Sequence, residues 1–368
     1  MIKKKILFIL HYPPPVHGSA LIGGLIKESN LVSINFSCRY INLGTSFSVE
    51  EIGKNPGGKS LRYLNLIWQV KRALLFFRPD LCYLTISSKG AGFYKDALIV
   101  LLVRLFRVKR IYHFHNKGVR INQGKLIDNF LYWRIFKNTD VILLSKHLYP
   151  DVQKYVPEDR VHYCPNGILE IKDKRQNEKD KKNGLVPEIL FLSHLIKSKG
   201  VLVLIDACYL LKERGSHFHC TLAGGDAEMK KEEVAAIVCD KELSSCISVV
   251  GPKYDGDKQK LLESADIFVH PSYNDCHPLI LLEAMQYSLP LVSTFEGAIP
   301  DIVDDGITGF LVPQKDSTAL ADKLDILIKD RDLQLKMGAA GRAKYEKEFT
   351  LEKFENRMTE ILKDVASR

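Results

Sequence analysis

The chain has 368 residues, 46% of them apolar and 26% charged, a composition that excludes a disulfide miniprotein, a fibrous repeat and a disordered chain. At roughly 150 residues per domain the length predicts two domains. The formal net charge of +9 is unevenly placed: residues 1–168 hold 25 Lys and Arg against 10 Asp and Glu, so the second half is net acidic.

From the N-terminus, Lys3, Lys4 and Lys5 precede only five apolar residues, too short a core for a secretory signal, which needs roughly 7 to 15. The longest apolar stretch, residues 98–108, is interrupted by Arg104 and Arg107, whereas a membrane span needs about 20 apolar residues. The expectation is a cytosolic chain. None of the eight cysteines falls in a C-x-x-C pair, which points to reduced, mostly buried thiols rather than a zinc or redox motif. Short apolar runs alternate with longer amphipathic ones, the pattern of βαβ units and parallel sheets. Strands are predicted over 5–10, 34–41, 81–86, 110–114 and 141–144, then over 189–192, 219–223, 247–250, 267–270, 291–293 and 309–312. Between the two sets, nine of the eleven residues 172–182 are charged and none is apolar. Such a segment cannot join a core, and the domain junction is placed there. Residues 62–78 and 98–110 read as basic amphipathic helices. They are read first as helices packed on a sheet with a solvated basic edge; the alternative is docking on anionic lipid headgroups. Beyond charge, no motif supports nucleic acid as a partner.

In open α/β sheets ligands bind beyond the carboxyl ends of the strands, so the residues that follow each strand carry the functional information. Five segments stand out. After the first strand, His11, three prolines, His17 and Gly18 lead into a helix. A plain turn and a phosphate or acceptor contact are equally good readings, with Gly18 allowing close backbone approach. In His113-Phe114-His115-Asn116, alternation puts both histidines on one face; His113 reads as a core residue, and His115, at the strand end, as a contact to a substrate hydroxyl. A zinc site would need a third ligand that is not found. Residues 193–200 (SHLIKSKG) form a polar loop whose Lys199 precedes a helix start and could neutralise a phosphate there. Residues 271–285 (PSYNDCHPLILLEAM) are the most informative. Pro278 fits a first helical position with free amides around it, and Glu283, on an otherwise apolar helix, needs a partner that ribose hydroxyls would supply. Finally, residues 297–301 and 304–313 read as turns and a short strand supporting the site. Asp255-Gly256-Asp257 has the D-x-D spacing of some metal sites but reads as a turn.

Together these segments resemble the retaining family four glycosyltransferases of the GT-B fold, over most of the chain. Asp275 to Glu283 has the spacing of that family's E-x7-E motif, followed by Ala284-Met285. Residues 193–200 correspond to G-R-x4-K-G, retaining Lys199 and Gly200. Pro165-Asn166-Gly167 resembles the turn into the interdomain linker, Gly309-Phe310-Leu311-Val312 the closing strand, and His17-Gly18 stands where the family often has Gly-Gly. The departures are His194 for Arg, Asp275 for Glu and Ser193 for Gly.

The resemblance implies two Rossmann-like parallel-sheet domains facing a central cleft. Residues 1–168 would bind acceptor, 169–187 would link, and 188–349 would bind the nucleotide sugar, with a C-terminal helix over about 350–368 expected to pack back on the first domain. It implies His115, Lys199 and Asp275 as catalytic residues, and Gly18, Ser193, His194, Lys199, Cys276, His277, Leu279 and Glu283 as donor-binding. Lys199 would neutralise the leaving diphosphate together with amides near Cys276 to Leu279, Glu283 would hold the ribose, Asp275 would contact the donor sugar and His115 would reach a sugar hydroxyl. No cofactor or metal is expected; the co-substrate is expected to be a UDP- or GDP-sugar, and the acceptor a lipid-linked or oligosaccharide glycan at the cytosolic face of a membrane. Two other readings stay open: a nucleotide-sugar 2-epimerase of the same fold, and a sugar-nucleotide-binding scaffold protein weakened by His194 and Asp275. An NAD-dependent dehydrogenase is disfavoured because no G-x-G-x-x-G follows either opening strand.

Overall fold

Ile6, Leu7, Phe8, Ile9 and Leu10 are all inaccessible to solvent. Five consecutive buried residues require a strand covered on both faces, as in a parallel sheet flanked by helices. The computed structural model of the protein describes residues 3–14, 17–44, 58–171 and 186–368; the charged junction expected at 172–182 lies outside the described residues. The chain divides into two compact units, Met1–Gly167 with Leu351–Arg368, and Ile168–Thr350.

The first unit contains strands β1 (Lys5–Leu10), β2 (Ser37–Asn42), β3 (Leu81–Leu84), β4 (Lys109–His113), β5 (Asp140–Leu143) and β6 (Val161–Tyr163). They form one parallel sheet in the order β2-β1-β3-β4-β5-β6. Three expectations are corrected here. The strand expected over 34–41 starts only at Ser37, because the Ser29 hydroxyl accepts from the Val32 amide and caps a short helix, Asn30–Asn35, that takes up Ile34. The helix expected over 98–110 runs Gly90–Leu105, after which Arg107, at φ 56°, turns the chain into β4. The helix expected over 62–78 is an α-helix, Lys59–Arg72, that widens into a π turn, Ala73–Phe77, and ends at left-handed Arg78. Strand β6, three residues long with a polar centre at His162, was too short and too polar to be foreseen. The final helix, Leu351–Ser367, buries Phe354, Met358 and Leu362 at fourfold spacing and packs against helix Asn30–Asn35.

The second unit contains β7 (Glu188–Leu192), β8 (His219–Ala223), β9 (Ile247–Val250), β10 (Ile267–His270), β11 (Leu291–Thr294) and β12 (Gly309–Val312), again all parallel, in the order β12-β11-β10-β7-β8-β9. Numbered from its own first strand this is the doubly wound order 3-2-1-4-5-6. Apolar cores cover both faces of the sheet. Asp255-Gly256-Asp257 is not the expected turn. It is the first turn of helix Asp255–Ser264, where the two carboxylates complement the helix N-terminus. In each sheet the strand order reverses once, between β1 and β3 and between β7 and β10. Connections there leave on opposite faces, and a crevice opens beyond the strand ends.

Candidate functional site

At the second unit's reversal, the loop after β7 lies against the loop after β10. Gly200 makes this contact possible. Its φ is +84°, and a Cβ there would sit 2.1 Å from the Pro271 carbonyl oxygen, so any side chain would force the loops apart. The Tyr273 amide and the Ser272 hydroxyl both donate to the Ser198 carbonyl, at 2.9 and 3.1 Å. Residues 197–199 form a single 3-10 turn ahead of helix Val201–Glu213, and the Lys199 ammonium meets the Asp275 carboxylate at 2.5 Å.

Asp275 has a second partner that sequence reasoning missed. His270, the last residue of β10 and 1% exposed, donates through Nε2 to the same oxygen at 3.0 Å. Burial alone would raise the Asp275 pKa, but the His270 hydrogen bond and charge, followed by the Lys199 ammonium, outweigh it and hold the carboxyl well below the usual carboxylate range. The other oxygen accepts from the Cys276 amide at 3.2 Å. The Asp275 amide in turn donates to buried Glu296 at 2.9 Å, and Glu296 also accepts from Gln314 at 2.7 Å. Gly297, at φ +54° with a Cβ position 2.4 Å from the Asp275 carbonyl, lets this support pass directly beneath the site, and the Ala298 amide donates to the Cys276 carbonyl at 2.7 Å. His270 was legible as a polar end to an apolar run; Glu296 carried no such signal.

Pro278 stands one residue outside the helix, which runs Leu279–Gln286. Its φ of −69° suits proline, but its ψ of 114° is extended, a correction to the first-helical-position reading. The Leu281 amide donates to the Pro278 carbonyl at 3.2 Å, so the amides of Leu279 and Ile280 are those that a helix start leaves without intrahelical acceptors. Cys276 is buried, and His277 is buried with its ring edge-on to Phe349 at 6.0 Å. Burial pushes the His277 pKa down to about 4, which keeps the ring neutral at physiological pH. Glu283, in the second turn, forms an ion pair at 2.7 Å with Lys258, which helix Asp255–Ser264 supplies. Ser193 is half-buried, its amide bonded to the Ala223 carbonyl at 3.0 Å, and His194 is exposed over Gly225. The structure thus brings Lys199 and Asp275 into contact and keeps Ser193, His194, Cys276, Leu279 and Glu283 on the loops and helix at the same sheet end.

His115 and Gly18 belong to the first unit. A cavity of about 1090 Å³ lies at its sheet reversal, lined among others by His11, His17, Thr85, Asp96, His115 and Asn116. The His113 and His115 rings lie 4.1 Å apart, although β4 ends at His113 and His115 stands in the bend beyond it, so the expected strand alternation is not what brings them together. His113 is fully buried and hydrogen-bonded to the Tyr83 hydroxyl at 2.5 Å; burial and then His115 hold its pKa well below the ordinary value. Burial pushes the Asp96 carboxyl up to about 6, although it accepts from the Ser87 amide at 2.8 Å. Gly18 opens helix Gly18–Glu28, and nothing lies within 4 Å of its Cβ position. The close approach in this segment belongs to Gly23, whose Cβ would sit 1.8 Å from the His11 carbonyl. Among the described residues no three His, Cys, Asp or Glu side chains are grouped to hold a metal ion.

Residues 172–344 match the family described as Glycosyl transferases group 1. The chain is 28% identical over 281 residues to the amylovoran biosynthesis glycosyltransferase AmsK of Erwinia amylovora, a match covering 72% of this chain and 66%, just under two thirds, of that relative. Among solved structures, a glycosyltransferase from Rickettsia africae aligns with a TM-score of 0.73 at 20% identity, covering 99% of this chain and 98% of its own. Anabaena HepE, solved in complex with UDP and glucose, aligns at 0.70 and 17% identity, covering 98% of this chain and all of its own. Both structural likenesses concern the fold.

Proposed function

We propose, from the match of residues 172–344 to the family described as Glycosyl transferases group 1 and from the GT-B fold of the chain, that the protein is a retaining glycosyltransferase. It moves a sugar from a nucleotide-diphosphate donor, a UDP- or GDP-sugar, to a lipid-linked or oligosaccharide acceptor in cell-surface polysaccharide synthesis. The observation that carries this reading is the ammonium–carboxylate pair of Lys199 and Asp275, 2.5 Å apart at a sheet reversal and backed by His270. The name of AmsK and the UDP and glucose bound by HepE agree with it.

The second unit binds the donor. Lys199 turns from Asp275 to the diphosphate, and Asp275 keeps His270 as its partner, so neither charge is stranded. As the glycosidic bond breaks, negative charge accumulates on the departing phosphate oxygen. The Lys199 ammonium and the amides at the start of helix Leu279–Gln286 are fixed donors for it, and Ser193 and His194 line the same anion. Lys258 engages one oxygen of Glu283, leaving the other to accept from the ribose hydroxyls. Asp275 accepts from a hydroxyl of the donor sugar. The first unit, with its cavity of about 1090 Å³, takes the acceptor.

Thermal unfolding against UDP, GDP, ADP and their sugar conjugates tests the donor assignment, because a ligand at 100 times its Kd stabilises by about 2.7 kcal/mol. Glu283→Ala is expected to abolish transfer and nucleotide stabilisation while retaining the unfolding midpoint; full activity in that variant contradicts the proposal. Donor conversion without acceptor would indicate an epimerase, and tight nucleotide binding without turnover a scaffold.

A further inference from the structure

Three helices of the first unit, Lys59–Arg72, Gly90–Leu105 and Leu126–Phe136, lie side by side over one face of its sheet, their inner residues in a single core. Two hydrogen bonds tie them together: Tyr63 to the Lys95 carbonyl and Tyr94 to Asp128, each 2.6 Å. A helical layer on a sheet ordinarily turns its polar side outward. This one does not. Twelve of the 23 exposed large apolar side chains among the described residues lie on these three helices and the π turn Ala73–Phe77 that continues the first. They form stripes at helical spacing: Leu61, Leu64 and Trp68 on the first helix, Leu126, Phe130 and Trp133 on the third. Trp68 and Trp133 are the chain's only two tryptophans, and each is more than half exposed.

The charge of this layer is equally one-sided. Residues 58–137, which span the layer and the strands and loops between its helices, contain 16 Lys and Arg against three Asp and no Glu, and seven of those cations stand on the three helices themselves. Two of the three, Asp96 and Asp128, are buried, and the third, Asp80, accepts from the Lys5 amide at the foot of the sheet. The cations frame the stripes: Arg72 lies over the Trp68 ring at 5.4 Å and Arg134 over the Phe130 ring at 5.2 Å. Aromatic rings flanked by cations, with no exposed acid among them, are complementary to the headgroup region of an anionic bilayer. A protein partner would have to be correspondingly acidic and apolar at once.

We infer that this helical layer is a membrane-docking surface that seats the first unit on an anionic lipid bilayer, with Trp68, Phe130 and Trp133 entering the headgroup region and Lys and Arg engaging lipid phosphates. The inference rests on the lipid-linked reading of the acceptor for its purpose, but on this surface alone for its existence. No helix among the described residues is long and apolar enough to cross the bilayer, so the contact is interfacial.

Because both tryptophans stand on the proposed surface, intrinsic fluorescence of the full chain reports docking without a label. With phosphatidylglycerol-containing vesicles, emission is expected to shift to the blue and acrylamide quenching to fall, with no change on pure phosphatidylcholine. Phe130→Ser with Trp133→Ser is expected to weaken vesicle sedimentation by about tenfold or more. An unchanged melting midpoint would show that the loss is not unfolding. Glu283→Ala, in the second unit, should dock as the parent does, so a failed donor site and a failed membrane face are read separately. Sedimentation without a tryptophan shift, sedimentation unaffected by the double variant, or self-association that shields both indoles without vesicles would each overturn the inference.

Discussion

Asp275 gives up most of its hydration yet stays ionised, because His270 and Lys199 both address one of its oxygens. A native carboxyl with a depressed pKa adds stability that is complete above the unfolded value, near pH 4, and is lost as pH falls toward the native one. Asp275→Asn is therefore expected to cost about 1–3 kcal/mol at neutral pH, a gap that narrows below about pH 4; urea titrations at the two pH values would check it. His11 behaves in the opposite chemical sense. Burial, then His17 and Lys95, push its pKa down to about 4, so below about pH 6.5 the unfolded state takes up a proton that the native state refuses. Stability should fall on acidification from about pH 6.5 to 4, by up to about 3 kcal/mol from this residue. In His11→Gln that part of the slope should disappear from the measured profile.

At the scale of elements, the strand bounds of β1, β8, β9, β10 and β12 coincide with apolar runs in the sequence, because continuous burial in a parallel sheet needs continuous apolarity. Failures fell where a single local interaction overrode pattern: the Ser29 cap that turned Ile34 into helix, and the left-handed Arg107 that released Lys109 and Arg110 into β4. The Lys199-Gly200 pair was legible as a motif, but its mechanical role was not. Gly200 is needed because the Pro271 carbonyl, in the loop after β10, occupies the space of its Cβ. Gly200→Ala is expected to destabilise by about 2–4 kcal/mol and to remove stabilisation by nucleotide, since the loop holding Lys199 would be displaced. Melting curves with and without nucleotide test both parts.

At the scale of the molecule, the chain's last helix completes the first unit rather than the second that precedes it. Its buried stripe of Phe354, Met358, Leu362 and Val365 makes truncation after Thr350 a core deletion, at about 2–5 kcal/mol for each large side chain lost. The expected outcome is preferential loss of amide-exchange protection in the first unit, with nucleotide-dependent protection retained in the second. Part of the basic half of the chain, diffuse as a count, gathers in three dimensions into an apolar and cationic helical layer. Helix Leu126–Phe136 contributes much of it, although it was not among the basic stretches singled out in the sequence.

The sequence alone determined the class of fold, most strand positions and the polar segments after them, because burial and turn formation are written in the local order of residues. It could not decide which segments meet. That His270, Asp275 and Lys199 form one group follows from β7 and β10 being neighbours, and that three separated helices share an outer face follows from their packing on one sheet. Both depend on strand order, which non-local packing selects and no local spacing records.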